Sequence, residues 1–275
     1  GQSFDDAVLV DLGRRHRSDD LQAACQWMQE AHRSGRLRSW SLDLIQNLPG
    51  QTLDHWEHQL DQAIASEAPH LSVYDLTVEP GTVFEKRQRR GDLALPGDDL
   101  AVALMAMTRE HLARAGLRRY EISNYARPGH ASRHNRVYWS GAGWWGFGMG
   151  ATSGAFGQRV ARPRTREGYR DWLETEALKA PEPPQPWPAI PIDDLLLVGL
   201  RRREGVALDR LGCDDPQALV RCWADQIDAG LIHRRAGRWQ LTDPEGMALS
   251  NQVLVEVLLW WEENSDPEPT ATEPM

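Results

Sequence analysis

The sequence predicts an α/β fold, with a parallel sheet over most of the chain and a small winged-helix-like unit after it. Three observations support this prediction. Helices and strands alternate over residues 18–123, six prolines interrupt the pattern within 181–191, and the order helix, helix, hairpin, helix follows. Alternation is typical of parallel sheets, because neighbouring strands that run in the same direction need a crossover between them.

The periodicity of apolar residues and the turn residues place each element. They predict, in order, helix 18–35, strand 39–45, a helix from Thr52, strand 70–77, helix 98–115 and strand 118–123. Ser18 can cap the first helix and Gly35 can end it. Ligands of parallel sheets bind at the carboxyl ends of the strands, so loops 43–49, 75–81 and 123–134 are predicted to share one edge.

The proline-rich segment divides the chain into regions. The predicted boundaries are a sheet domain at 1–180, a stiff linker at 181–191, a helical domain at 192–261 and a disordered acidic tail at 262–275. In the helical domain we expect helices at 192–203 and 216–229, a hairpin turning at Ala236-Gly237, and a helix to Trp261. Eight Arg against eleven Asp and Glu give this domain a net charge of −3, which argues against DNA binding.

Composition restricts the function further. The net charge of −9 argues against nucleic-acid partners, and no apolar run is long enough for an integral membrane segment. The cysteines Cys25, Cys213 and Cys222 are few and widely spaced, which favours a reducing, cytoplasmic location. They cannot supply the clustered thiolates of an iron–sulfur centre. The first residue is Gly1 and not Met, so a truncated or processed chain is expected.

The segment from Arg118 to Gly157 concentrates the chemistry of the chain. It carries His130, His134, three tyrosines, three tryptophans and several arginines, with seven glycines from Gly141 onward. Histidine can ligate a metal, arginine pairs with carboxylates and aromatic rings stack on planar groups. These residues suit a flat, anionic, metal-bearing ligand. An aromatic core strand followed by a glycine-rich turn is the alternative.

Motifs in order along the chain carry a family resemblance. They are GQSFDD at the start, SLDLIQNLPGQT at 41–52, LSVYDLTVEPGT at 71–82, YEISNYARPGHASRHNRVYW at 120–139 and GFGMGATS at 146–153. The chain resembles the coproporphyrinogen oxidase-like (HemN-like) radical S-adenosylmethionine proteins, and within them the HemW-type branch of heme chaperones. The resemblance runs from Gly1 to about residue 259 and is specific in its HNxxYW motif.

The resemblance implies a partial (β/α) barrel with a winged-helix-like C-terminal domain. The family's first strands carry a three-cysteine loop for a [4Fe–4S] cluster and a glycine-rich motif, and we expect this chain to lack both. Gln2, Arg14 and Asp43 match family residues that contact S-adenosylmethionine, with Arg15 as a rival of Arg14. Asp43 is expected to end its strand at the ligand edge. Thr152 stands where family members often have His.

The HNxxYW motif falls on His134, Asn135, Tyr138 and Trp139. The family associates it with heme. By resemblance, His134 would be an axial ligand of the heme iron, Asn135 would orient it, and the two aromatic rings would contact the macrocycle. His130 is a competing ligand. Arginines in this stretch would form a cationic patch for the heme propionates; they are Arg118, Arg119, Arg127, Arg133 and Arg136.

The resemblance therefore implies a cytoplasmic heme chaperone that delivers heme to respiratory proteins at the membrane. Two alternatives stay open. One is an oxygen-independent coproporphyrinogen III oxidase, which needs S-adenosylmethionine and the [4Fe–4S] cluster. The other is an inactive fragment or one half of a split protein.

Overall fold

The computed structural model describes residues 1–155, 158–175, 192–210 and 216–264. These form two compact units. Unit 1 comprises Gly1–Ser132, Ala229–His233 and Leu241–Ser250, and unit 2 comprises the other described residues. The predicted linker at 181–191 lies outside the described residues. The domain boundaries read from the sequence stay a prediction.

The helices and strands follow one another along the chain. The first part contains α1 (Asp6–Asp11), α2 (Ser18–Arg33), β1 (Ser41–Gln46), α3 (Leu53–Ala65), β2 (His70–Asp75), α4 (Val83–Arg89), α5 (Asp98–Arg114), β3 (Arg118–Glu121) and β4 (Asn124–Ala126). The second part contains α6 (Arg133–Trp139), β5 (Thr152–Ala155), β6 (Gln158–Ala161), α7 (Arg166–Thr175), α8 (Ile192–Leu200), a 3₁₀ turn (Leu208–Arg210), α9 (Pro216–Cys222), α10 (Ala224–Asp228), β7 (Ile232–Arg235), β8 (Arg238–Leu241), α11 (Glu245–Ala248) and α12 (Ser250–Asn264).

The helices of unit 1 confirm the sequence signals that predict them. The Thr52 side chain accepts a hydrogen bond from the His55 amide at 3.2 Å and caps α3. Gly35, at φ +75°, follows the end of α2 in the left-handed conformation that glycine favours there. The predicted cap of α2 is wrong by one residue. Arg17 is the cap and Ser18 is already helical, because the Asp20 carboxylate accepts from the Arg17 amide at 2.9 Å and fixes the start.

The sheet of unit 1 has the order β1-β2-β4-β3 and is mixed. β1 and β2 are parallel, as predicted. β4 lies between β2 and β3 and is antiparallel to both. The chain turns back at Ile122 and Ser123, so the segment predicted as one loop contains a strand. Consequently Arg127 and His130 lie at the amino edge of β1 and β2, and the prediction that all of 123–134 lies at the carboxyl edge is wrong.

The core of unit 1 fills the space between the sheet and its helices. α3 contributes Trp56 and Leu60, each at most 1% exposed, and the sheet contributes Leu44 and Leu71, which are fully buried. Leu104 of α5 is also fully buried. Burying side chains of this size stabilises a fold by about 1.5–3 kcal/mol each, so this layer fixes the positions of the strand ends.

Unit 2 contains the hairpin β5-β6, the central part of the hairpin β7-β8 around its turn, and several helices. The predicted turn at Ala236-Gly237 is confirmed, with both residues at positive φ. The helix predicted at 216–229 is divided into α9 and α10, because fully buried Trp223 interrupts it and packs at 5.7 Å from the Trp239 ring. α12 continues to Asn264, three residues past its predicted end. Among the described residues, none forms a helix both long and apolar enough to cross a membrane.

Candidate functional site

The HNxxYW motif forms α6 of unit 2 and places His134 at the surface. His134 and Tyr138 are four residues apart, so they lie on the same side of the helix. Their ring centroids are 4.8 Å apart in an edge-on arrangement, and the Tyr138 ring is 4.6 Å from that of Trp144. The His134 side chain is exposed, whereas Tyr138 is half-buried. An accessible imidazole is thus supported from one side by two aromatic rings.

Trp139 lies on a different side of α6 from His134. The guanidinium carbon of Arg201, just after α8, is 4.4 Å from the centroid of the Trp139 ring. The indole N–H of Trp139 is buried and has no hydrogen-bond partner in the described part of the chain. Asn135 is four residues before Trp139 and half-buried. The structure therefore brings His134 together with Tyr138, and it places Trp139 against α8.

The residues predicted to contact S-adenosylmethionine surround the first residues of unit 1. The Gln2 amide donates to the Asp43 carbonyl at 2.6 Å, and the Ile45 amide donates to the Gln2 carbonyl at 3.0 Å. The charges of Asp43 and Arg14 both act at the position of Gly1. Both charges are therefore close to Gly1. Arg14 is exposed.

Asp43 differs from its predicted position. It is the third residue of six in β1 and not the last. The strand continues through Gln46, because Leu44 and Gln46 keep the alternating buried positions beyond Asp43.

Thr152 begins β5, and its carbonyl accepts from the Trp144 indole N–H at 3.1 Å.

His130, the competing ligand, lies at the amino edge of the unit 1 sheet. Its Nδ1 is 3.0 Å from the Ser39 hydroxyl, and its ring centroid is 5.7 Å from that of His32. Burial lowers the pKa of His130, and the nearby His32 and Arg127 lower it further. These contacts tie His130 to the segments before β1 and at the end of α2.

A buried polar network at the carboxyl ends of β1 and β2 was not predicted. Asp75, the last residue of β2, accepts hydrogen bonds at its Oδ1 from the side-chain amides of Gln46 at 2.8 Å and Asn47 at 2.7 Å. The Thr108 hydroxyl donates to the side-chain carbonyl of Gln46 at 3.0 Å. The same hydroxyl accepts from the Trp56 indole N–H at 2.8 Å. Burial raises the pKa of Asp75, against the amide of Gln46 and the charge of Arg119.

The signal for this network was the run of polar residues at the ends of two buried strands. Arg119 belongs to the same region of unit 1. Its side chain is 1% exposed, and it donates to Asp243 at 2.7 Å and to the Tyr125 hydroxyl. The sequence analysis placed Arg119 in a cationic patch. This prediction is wrong, because the Arg119 side chain is buried and paired with Asp243. The partners that neutralise it lie far away in sequence, so its neighbours in the chain could not reveal them.

The described residues contain no group of three His, Cys, Asp or Glu side chains that could hold a metal ion. Cys25 is buried, and burial raises the pKa of its thiol. Burial, with a contribution from the Glu256 charge, raises the pKa of the Cys222 thiol to about 11. Cys213 lies outside the described residues. Thiols of raised pKa are poor cluster ligands, because a metal binds the thiolate.

Comparison with known proteins gives consistent relatives. The chain is 36% identical to "Heme chaperone HemW" of Synechocystis over 286 residues, which covers 96% of the chain and 68% of the relative. It is 32% identical to "Heme chaperone HemW" of Bacillus subtilis, covering 92% and 66%. It is 34% identical to the mouse "Radical S-adenosyl methionine domain-containing protein 1, mitochondrial", covering 89% and 50%. The chain thus spans about two thirds, or less, of the length of these relatives. No family model matches it.

A solved structure has the same fold. It is coproporphyrinogen III oxidase (HemN) from Escherichia coli, described as a radical SAM enzyme, with a TM-score of 0.65 and 17% sequence identity. The match covers 94% of this chain and 62% of the other. The mixed α/β fold and the partial barrel expected from the sequence agree with it.

Proposed function

The chain belongs to the HemW family of heme chaperones within the HemN-like radical SAM proteins, and from this premise we propose that it binds heme as cargo through His134. The observation that supports the proposal is the exposed imidazole of His134 on α6. An imidazole nitrogen is a common axial ligand of heme iron. The edge-on Tyr138 ring and Trp144 behind it restrict the orientation of the imidazole.

The other motif residues take different roles in this proposal. Asn135 is next to His134 on α6 and can orient either the His134 imidazole or the heme by hydrogen bonding. The Tyr138 ring contacts the His134 imidazole directly, whereas the Trp139 ring lies against Arg201 after α8. The relatives named heme chaperones support a carrier role. We propose that the protein acts in the cytoplasm and passes heme to respiratory proteins at the membrane.

A heme titration tests the role of His134. Wild-type protein, His134→Ala and the matched control His130→Ala are titrated with heme and followed at the Soret band. We expect the His134 variant to lose at least about tenfold in affinity, equivalent to about 1.4 kcal/mol, while the control binds as the wild type does. Equal binding by His134→Ala and wild type would exclude the imidazole as ligand. A loss confined to His130→Ala would transfer the role to that residue.

We further propose that Gln2, Arg14 and Asp43 contact S-adenosylmethionine. The exposed guanidinium of Arg14 suits the methionine carboxylate. A backbone hydrogen bond from the Gln2 amide to the Asp43 carbonyl holds these two residues together. Calorimetry with S-adenosylmethionine on wild type, Arg14→Ala and Arg15→Ala tests the assignment. Weaker binding in Arg14→Ala alone supports it, and weaker binding in Arg15→Ala alone contradicts it. The cysteines that the structure describes do not fit a [4Fe–4S] cluster, so no radical step is derived for this chain.

A further inference from the structure

A cavity of about 150 Å³ lies beside Trp139 within unit 2. Its walls include Leu195, Val198 and Val206, and also Trp139, Arg202 and Arg238. Aliphatic side chains make one part of the wall, and an indole and two arginines make another. A cavity of this size holds a group of about six heavy atoms, such as benzene. It is too small for a porphyrin ring but large enough for a carboxylate on a short alkyl arm.

Two N–H donors of residues in the polar part of this wall are unpaired in the described part of the chain. The Nε of Arg202 and the indole N–H of Trp139 are both buried, and neither has a hydrogen-bond partner among the described residues. Buried N–H groups are nearly always paired, because an unpaired one costs about 1–3 kcal/mol. Both residues line one cavity although the two nitrogen atoms themselves are covered, so an acceptor in the cavity would pair with them after a side-chain rotation. The flexible Arg202 side chain can turn its N–H groups toward that acceptor.

The charges around the cavity specify an anion. Burial lowers the pKa of the Arg202 guanidinium; Glu204 raises it, and Arg238 and Arg136 lower it. Glu204 is already 3.6 Å from Arg136 in an exposed pair. Arg238 uses its Nε and Nη2 on the carbonyls of Glu204 and Gly205, at 2.7 and 2.6 Å. Positive charge therefore exceeds negative charge at the cavity, and the guanidinium of Arg202 has no ion pair among the described residues.

We propose that this cavity binds the carboxylate of a short alkyl arm, with Arg202 and the Trp139 indole N–H as donors and the aliphatic wall around the methylene groups. The inference rests on the proposed function in one respect, the identity of the ligand, which is then a heme propionate. Trp139 is five residues after His134 on α6, a rise of about 7.5 Å along the helix. Because five residues also turn about 140° around the helix, the arm of a ligand bound at His134 has to pass around α6 to reach the cavity.

The experiment compares heme with heme dimethyl ester, in which the propionates carry no charge. The proteins are wild type, Arg202→Met, Trp139→Phe and the matched control Arg203→Met, whose side chain is exposed next to Arg202. We expect wild type to bind heme about tenfold more tightly than the ester. Arg202→Met should lose that preference without weakening ester binding, and Arg203→Met should retain it. Trp139→Phe keeps the ring, loses the N–H and should show a smaller loss of preference.

A second measurement keeps the inference separate from the proposed function. Sodium propionate is added to ¹⁵N-labelled protein, and the indole resonance of Trp139 is assigned with Trp139→Phe. A saturable shift that disappears in Arg202→Met supports the cavity even if heme does not bind. Heme binding that is equal for acid and ester, together with no shift from propionate, overturns the inference and leaves the heme proposal intact. Arg202→Gln, which removes the charge but keeps a polar side chain, serves if Arg202→Met does not fold.

Discussion

The guanidinium of Arg119 donates to the carboxylate of Asp243 across 2.7 Å, with only 1% of the arginine side chain exposed. The same guanidinium donates to the Tyr125 hydroxyl and lies 5.0 Å from the centroid of that ring. Burial raises the pKa of Tyr125 to about 12, so its hydroxyl stays neutral. Asp243 is therefore the carboxylate that neutralises a buried charge on the third strand of unit 1.

Asp243→Asn should destabilise the chain by about 3 kcal/mol, because it leaves the Arg119 charge buried without a counter-charge. Urea unfolding followed by tryptophan fluorescence measures the change. Asp11→Asn is the matched control, since its ion pair with Arg87 has the same 2.7 Å separation but an Asp11 side chain that is 49% exposed. That control should cost less than about 1 kcal/mol. Equal losses in the two variants would show that the buried pair contributes no more than the surface pair.

The stability of unit 1 should fall as pH rises through the titration of Asp75. Burial raises the folded-state pKa of this carboxyl above its ordinary value of 3.8. Between the unfolded and folded pKa the folded state binds more protons, so the free energy of unfolding decreases with rising pH in that window. Above the folded pKa the loss is complete. Urea midpoints at a series of pH values from 4 to 8 measure this slope. The pH window begins at about 4, which is the ordinary pKa of the carboxyl in the unfolded chain.

Asp75→Asn should remove that slope and be neutral or stabilising at pH 7. Both side-chain amides that contact Asp75 donate to its Oδ1, and an asparagine carbonyl in the same place accepts both. The substitution therefore keeps the hydrogen bonds and removes the buried charge. Destabilisation by more than about 1 kcal/mol at pH 7 would mean that the attraction between Asp75 and Arg119 outweighs the cost of burying the carboxylate.

Local signals predicted most helices and the first two strands of unit 1. The Thr52 cap, and Gly116 at φ +82° after α5, act within a few residues and so can be read from sequence. The position of the third strand could not be read. It depends on the turn at Ile122 and Ser123, which lets β4 pair with β2 and separates β3 from it. Strand order depends on pairing across the sheet, which periodicity does not encode.

The candidate sites show the same division. The HNxxYW spacing places His134 and Tyr138 one helical turn apart, and the structure has them in contact. The burial of Arg119 depends on Asp243, more than a hundred residues later, and so had no local signal. The Trp139 cavity needs side chains from α6, α8 and β8 together. Arg202 looks like a surface charge in sequence, because the lack of a partner for its Nε among the described residues appears only in three dimensions.

Tyr138→Ala should weaken heme binding by about three- to tenfold, because the edge-on contact that orients His134 is lost with the ring. Tyr138→Phe keeps the ring and its 4.6 Å contact with Trp144, so it should bind heme as the wild type does. Soret titrations of both variants measure the difference. A loss in Tyr138→Phe equal to that in Tyr138→Ala would assign the effect to the hydroxyl and not to the ring.

Gly205 directly precedes Val206 and Ala207, two residues of the cavity wall, and Gly205→Ala should destabilise the chain more than Gly237→Ala. Both glycines have positive φ, at +60° and +77°, so alanine carries a backbone penalty of about 1 kcal/mol at either position. A methyl group on Gly205 would also overlap the Trp239 carbonyl, whereas Gly237 has open space. The overlap adds roughly 1–3 kcal/mol of strain. Urea unfolding of the two variants measures the difference, and equal midpoints would show that the backbone around Gly205 relaxes freely. If it does not relax, the carbonyl of Gly205 that holds Arg238 at 2.6 Å is displaced, and Gly205→Ala should also weaken the propionate-induced shift of Trp139.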